Sequence, residues 1–216
     1  RPSVADALAV LRDRGCTAVV AAPLLLFSAG HARRDLPAAI AEAAAETGIA
    51  VRQSGALGCH PALLNLSRQR RREARIAAGP APGGELLAFL VRGSSDPSTP
   101  AQAAEFLGLS LDADEGVLGA RIGYAAAARP TVEEVLEALA AAAPGSGARR
   151  VLVQPHLLFP GHVADGVEEA VAVARRRHPS LSWVVVPRLG PDPLVARALL
   201  GRVGACVAAD GEDRAG

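Results

Sequence analysis

The sequence has no lysine; all 23 of its basic residues are arginine. Without a lysine amine there is no Schiff-base chemistry, which excludes pyridoxal enzymes and lysine-type aldolases. The same absence removes the Walker-type phosphate loop. Methionine is missing too, and the chain starts at Arg1. Translation starts at Met, so the sequence is expected to be a fragment, or a chain whose true start lies upstream. Aromatics make up only 3%, although half of the residues are hydrophobic. The core must then be leucine, valine and alanine packed between layers, which suits helices on a sheet. Cys16, Cys59 and Cys206 are far apart and odd in number. They form no C-x-x-C pair or disulfide framework, and they read as small core groups in a reducing cytoplasm. A net charge of +1 creates no strong field, so no nucleic-acid partner is expected. The longest apolar stretch, residues 18–29, is too short for a bilayer and contains Pro23. With no basic leader before it, neither a signal peptide nor a membrane partner is expected.

Strand-like and helix-like segments alternate along the chain. Helical spacing occupies residues 4–11, and a buried-strand run spans 17–22. Asp35 reads as an N-cap before a helix reaching Glu46, with Pro37 in its first turn. A strand at 49–53 and a helix opened by Pro61 follow. The arginine run at 68–75 reads as a solvated helix end. Beyond a Gly/Pro linker come strands at 86–91, 117–123, 151–154 and 183–186. Helices at 101–107, 132–142, 167–177 and 194–202 alternate with them. Such alternation predicts an α/β fold with parallel sheets. His60 before Pro61 reads as a cap or turn residue, His178 as a helix-end cation, and His156 as bland. Asp165 reads as an N-cap.

The chain also repeats itself. Arg1-Pro2-Ser3-Val4 matches Arg129-Pro130-Thr131-Val132, and Pro23-Leu24-Leu25-Leu26-Phe27 matches Pro155-His156-Leu157-Leu158-Phe159. Gly30-His31 matches Gly161-His162, and Leu57-Gly58-Cys59-His60-Pro61 matches Leu189-Gly190-Pro191-Asp192-Pro193. Matches in one order imply two homologous αβα halves. The expected domains are 1–78, incomplete, and 86–206, with a linker at 79–85 and a tail at 207–216. The second half carries strand–helix–strand before its Arg-Pro-Thr-Val, and the first is expected to lack these elements.

His31 and His162 fall in loops at the carboxyl ends of strands, where open α/β sheets bind ligands. Each follows a glycine, Gly30 or Gly161. Two imidazoles across one cleft could hold a borderline metal or accept protons near neutral pH. No Gly-x-Gly-x-x-Gly follows a strand, which argues against a dinucleotide.

These residues resemble a known family. Leu24-Leu25-Leu26-Phe27-Ser28-Ala29-Gly30-His31 with Asp35-Leu36-Pro37, and Leu158-Phe159-Pro160-Gly161-His162, resemble the strand-end motif of the sirohydrochlorin chelatases. These are type II chelatases whose long form has two domains. Val91-Arg92-Gly93-Ser94-Ser95-Asp96-Pro97 resembles the family's Gly-His-Gly-Ser-Arg-Asp-Pro. The resemblance implies a cytoplasmic lyase that inserts cobalt or ferrous iron, with nickel possible, into sirohydrochlorin. That step would serve cobalamin or siroheme synthesis. The metal would be substrate, with no organic cofactor, and the protein a monomer or homodimer. His31 would be the catalytic imidazole and a metal ligand, with His162 a second ligand. Gly30, Gly161, Arg33, Arg34 and Arg92 would line the polycarboxylated ring, because guanidinium forks pair with carboxylates. Arg92 stands where the family has histidine and cannot bind a metal. The family's acidic position falls in the alanine run at 125–128. These two departures keep open an alternative, a catalytically degenerate tetrapyrrole- or metal-binding protein. An unrelated anion-binding α/β protein is a third reading.

Overall fold

The computed structural model describes residues 2–28, 35–81, 83–111 and 116–213. Alternating strands and helices form two parallel sheets. The first half contains α1 (Val4–Asp13), β1 (Ala18–Ala21), α2 (Leu36–Thr47), β2 (Ala50–Gln53) and α3 (Pro61–Ala78). The second contains β3 (Gly84–Val91), α4 (Thr99–Leu111), β4 (Val117–Tyr124), α5 (Val132–Ser146) and β5 (Ala148–His156). It continues with α6 (His162–Arg177), β6 (Ser182–Val185) and α7 (Pro193–Asp213). The large sheet has the order β4-β3-β5-β6, the small one is β1-β2, and every pair is parallel.

Strand alternation builds the layers. Leu86, Ala88, Leu90, Val151 and Val153 face α5 and α6 in one cluster, together with Val135, Leu136 and Val171. Leu87, Phe89, Val91 and Leu152 face the opposite way, into a cluster with Leu63 and Leu66 of α3 and Phe106 of α4. The second half is thus a three-layer αβα unit, as its βα pattern implies. In the first half, Leu8, Ala43 and Ile49 form a small core of their own.

The repeat recurs in the backbone. Ser3 caps α1 through a capping box with Asp6, and Thr131 caps α5 through one with Glu134. Ala18 pairs with Ala50, and their repeat counterparts Arg150 and Ser182 pair in the same register. β1 and β2 therefore correspond to β5 and β6. Among the described residues the first half has no counterpart of β3, α4 or β4.

Helices cross between the halves. α3 follows β2 in sequence but packs on α4, β5 and β6, while α7 follows β6 and touches β1 and α3. Two repeat-related arginines fasten the exchange. Arg70 of α3 reaches the Leu189 carbonyl at 3.4 Å, and Arg202 of α7 reaches the Leu57 carbonyl at 2.7 Å. Leu57 and Leu189 are themselves repeat partners, so the contacts obey a pseudo-twofold relation. A division at residue 78 therefore falls between α3 and the large sheet on which it packs. α7 is helical well past residue 206, where a tail was expected.

Local expectations need correction in four places. The arginine run is not simply solvated: Arg71 is fully buried and donates to Gln154 Oε1 at 2.8 Å and to the Ser110 carbonyl. Asp35 is the N-cap residue of α2, as expected, but its side chain makes no capping bond. Asp165 lies inside the first turn of α6, whose N-cap is Gly161. The three cysteines are half-buried, and of them Cys59 packs against the main core cluster. The caps expected elsewhere form: His60 Nδ1 accepts from the Ala62 amide, and its repeat partner Asp192 accepts from Leu194. His178 sits at the end of α6 and pairs with Glu137 at 2.8 Å.

Candidate functional site

A cleft of about 720 Å³ opens where β3 and β5 end. This is the carboxyl edge of the parallel sheet, the usual ligand crevice. Its walls come from both halves. Residues 24–27, which follow β1, form one side. Residues 91–95, Ala126, Ala127 and residues 156–164 form the other, and Thr99 opens α4 at its edge. The two repeated Leu-Leu-Phe segments therefore face the same space.

Of the residues expected at the site, Arg92, Gly161 and His162 all line this cleft. Gly30, His31, Arg33 and Arg34 lie outside the described residues. Gly161 takes φ 133° as the cap of α6, a conformation that favours glycine. His162 is the first residue of that helix. Gly93 takes φ 84°, and a Cβ there would collide with the Ala126 carbonyl. The close approach brings the alanine loop against β3: Ala125 and Ala126 donate to the carbonyls of Val91 and Arg92. The loop presents no carboxylate to the cleft. Among the described residues no three His, Cys, Asp or Glu side chains gather in a metal-holding group.

Sequence reasoning missed His156. It ends β5, pairs in register with Val91, and lines the cleft while only 1% exposed. Rings of Phe27, Phe89 and Phe106 surround it, with centroids 5.2, 5.0 and 4.3 Å away. Burial pushes its pKa down to about 3. Its repeat counterpart Leu24 is apolar, and that comparison hid it. The usable signal was strand alternation, which puts His156 on the same face as Gln154 at the ligand end of the strand.

The depressed pKa makes a stability prediction. A histidine that stays neutral when folded binds its proton only on unfolding. The unfolded chain therefore holds more protons between about pH 6.5 and 3, and stability falls as pH drops through that window. The slope from this group approaches about 1.4 kcal/mol per pH unit. Urea unfolding followed from pH 7 to pH 4 should show this slope, and His156→Leu should flatten it. An identical pH dependence in the variant would refute the assignment.

The fold and cleft define a class: a pseudo-twofold α/β protein with a cleft between two repeated halves, at their strand ends. The particular family follows from comparison with known proteins. The CbiX family model matches residues 1–74 and 86–206, and the chain belongs to the CbiX family. A sirohydrochlorin cobaltochelatase of Priestia megaterium is 23% identical over 203 residues, which are 94% of this chain. The chain spans 65% of that relative's length. The structure of SirB from Bacillus subtilis with Fe3+ superposes with a TM-score of 0.82 at 22% identity, covering 98% of this chain and 80% of that one. SirB from Bacillus subtilis subspecies spizizenii in complex with cobalt gives 0.77 at 21%, covering 98% and 79%. At these identities the structural likeness establishes the fold, a chelatase-like α/β architecture. No helix among the described residues is long and apolar enough to cross a membrane.

Proposed function

We propose that this chain inserts a divalent metal, cobalt or ferrous iron, into sirohydrochlorin. One observation carries the reading: both repeated Leu-Leu-Phe segments, each leading to a Gly-His pair in the sequence, flank one cleft at the sheet's ligand edge. Membership of the CbiX family and similarity to the sirohydrochlorin cobaltochelatase of Priestia megaterium support it.

The chemistry exchanges two pyrrole N–H protons for one dication. His31 would take the metal or a leaving proton, since a neutral imidazole offers a lone pair for either. His162 would be a second ligand across the cleft. Arg92, Arg33 and Arg34 would meet ring carboxylates as bidentate forks. Gly30 and Gly161 would let the flat ring approach the backbone. The similar SirB structures carry Fe3+ in one case and cobalt in the other, so the assay must offer both metals.

The test is anaerobic metal insertion, followed by the absorbance change of sirohydrochlorin, with cobalt and with ferrous iron in separate runs. Turnover above the uncatalysed rate with at least one metal is the expected result. Tetrapyrrole binding with no acceleration by either metal would replace this reading with that of a carrier. Arg92 in place of histidine, and the alanine loop without a carboxylate, favour that second reading.

A further inference from the structure

Two polar side chains in the cleft are buried with nothing to bond. Neither His156 Nδ1 nor Nε2 has a hydrogen-bond partner, and neither does Thr99 Oγ1. Thr99 is 3% exposed and His156 is 1% exposed, and both line the cleft. Each unmet buried group carries a desolvation cost that no protein partner repays. Folding alone does not require this: the repeat places a leucine, Leu24, at the position equivalent to His156. Buried polar groups without partners, gathered at a ligand cleft, point to a partner that arrives with the ligand.

We propose that Thr99 Oγ1–H and the His156 ring N–H form a subsite for one carboxylate arm of the ring bound in the cleft. The proposal rests on the tetrapyrrole reading above. Both groups can donate, and a carboxylate has two oxygens to receive them. Arg92 lines the same cleft and supplies the compensating charge. Burial keeps the imidazole neutral, so it offers one N–H at physiological pH. Asp96, the nearest acid in sequence, has Oδ1 bonded to the Ser98 amide at 2.9 Å and to its hydroxyl at 2.7 Å. That oxygen is held in the turn ahead of α4. A metal fits less well, because a threonine hydroxyl is a poor ligand for cobalt or iron and three phenyl rings pack the imidazole. For the arm to reach the imidazole, the half-buried Phe27 ring beside it, contributed by the first half, must turn aside.

The proposal predicts an unusual pairing of effects. Removing an unmet polar group should leave the ligand-free protein as stable or more stable, yet weaken ligand binding. Sirohydrochlorin titrations of the wild type, Thr99→Val and His156→Leu should show about tenfold weaker binding in each variant. The Tm without ligand at pH 7 should be unchanged or higher. Esterified sirohydrochlorin, which lacks the anions, should bind the wild type and the variants alike. Cobalt alone should bind all three equally. Unchanged sirohydrochlorin affinity in Thr99→Val, a near-isosteric change, overturns the subsite even if His156→Leu fails to fold. Loss of cobalt binding in His156→Leu would make the imidazole a metal ligand and overturn it as well. A wild type that binds no sirohydrochlorin defeats the functional reading and the subsite together. A wild type that binds, with variants that bind equally, defeats the subsite alone.

Discussion

Replacing His31 with alanine is expected to lower the rate of metal insertion by roughly a hundredfold or more, the usual contribution of a positioned proton acceptor. Tetrapyrrole affinity should change by no more than a few fold, because the cleft walls remain. The expectation follows from the shortage of alternatives. In the second half, the position where the family resemblance implies the other histidine is Arg92, whose guanidinium has no lone pair to offer. The loop beside it presents Ala126 and Ala127, which neither ligate nor take protons. His156 is neutral and walled by phenyl rings, so it cannot substitute as a base near neutral pH. His162 is the remaining imidazole on the cleft and should show a smaller loss as alanine. Initial rates with cobalt and with ferrous iron, measured alongside sirohydrochlorin binding, decide the matter. An unchanged rate for His31→Ala with both metals sinks the catalytic assignment.

The elements that could be read from sequence were those set by local chemistry. Ser3 with Asp6 and Thr131 with Glu134 are capping boxes, a pattern written in four consecutive helix-start residues, and both form. The apolar runs of β3 and β5 announce strands buried on both faces. The His60 and Asp192 alternation suggested a cap or turn role, and the cap forms at both, since either side chain can accept from the backbone two residues on. What could not be read is tertiary. Nothing local shows that Arg70 and Arg202 reach across to carbonyls of the opposite half, because each pair is far apart in sequence. The buried Arg71 was misread for the same reason, as its partners Gln154 and Ser110 come from β5 and α4. At the site, the repeat located the cleft through Leu24, Leu158 and His162 but concealed its floor. Comparison with an apolar counterpart argued His156 out, and Thr99 looked like any hydroxyl at a helix start.

Replacing Glu85 with alanine is expected to cost about 3–5 kcal/mol of folding stability, the largest single effect outside the apolar core. Glu85 opens the central strand β3 and its side chain is 8% exposed. It accepts from Arg75 Nε at 2.6 Å and from Arg150 at 2.9 Å. Arg150 is 4% exposed and also donates to the Gly79 carbonyl at the end of α3. Alanine would leave the Arg150 guanidinium buried without its counter-charge, the situation that makes breaking a buried pair so costly. The paired loss should also loosen α3, because Arg75 belongs to that helix and Glu85 and Arg150 to the sheet beneath it. An exposed pair behaves differently: removing Arg177 from Glu137 should cost no more than about 1 kcal/mol. Urea unfolding of both variants at pH 7 gives the comparison. A loss below about 1 kcal/mol for Glu85→Ala, equal to the surface control, would show that the cluster is not a fastener. The double replacement Glu85→Leu with Arg150→Met separates charge from packing: if uncompensated charge causes the loss, removing both charges should recover most of it. The same helix carries Arg70 to the Leu189 loop of the second half. Anchoring α3 at one end through Glu85 and along its length through Arg71 holds a first-half helix on the second-half sheet. The cleft lies between those halves, so its shape depends on a cluster at the opposite edge of the same sheet.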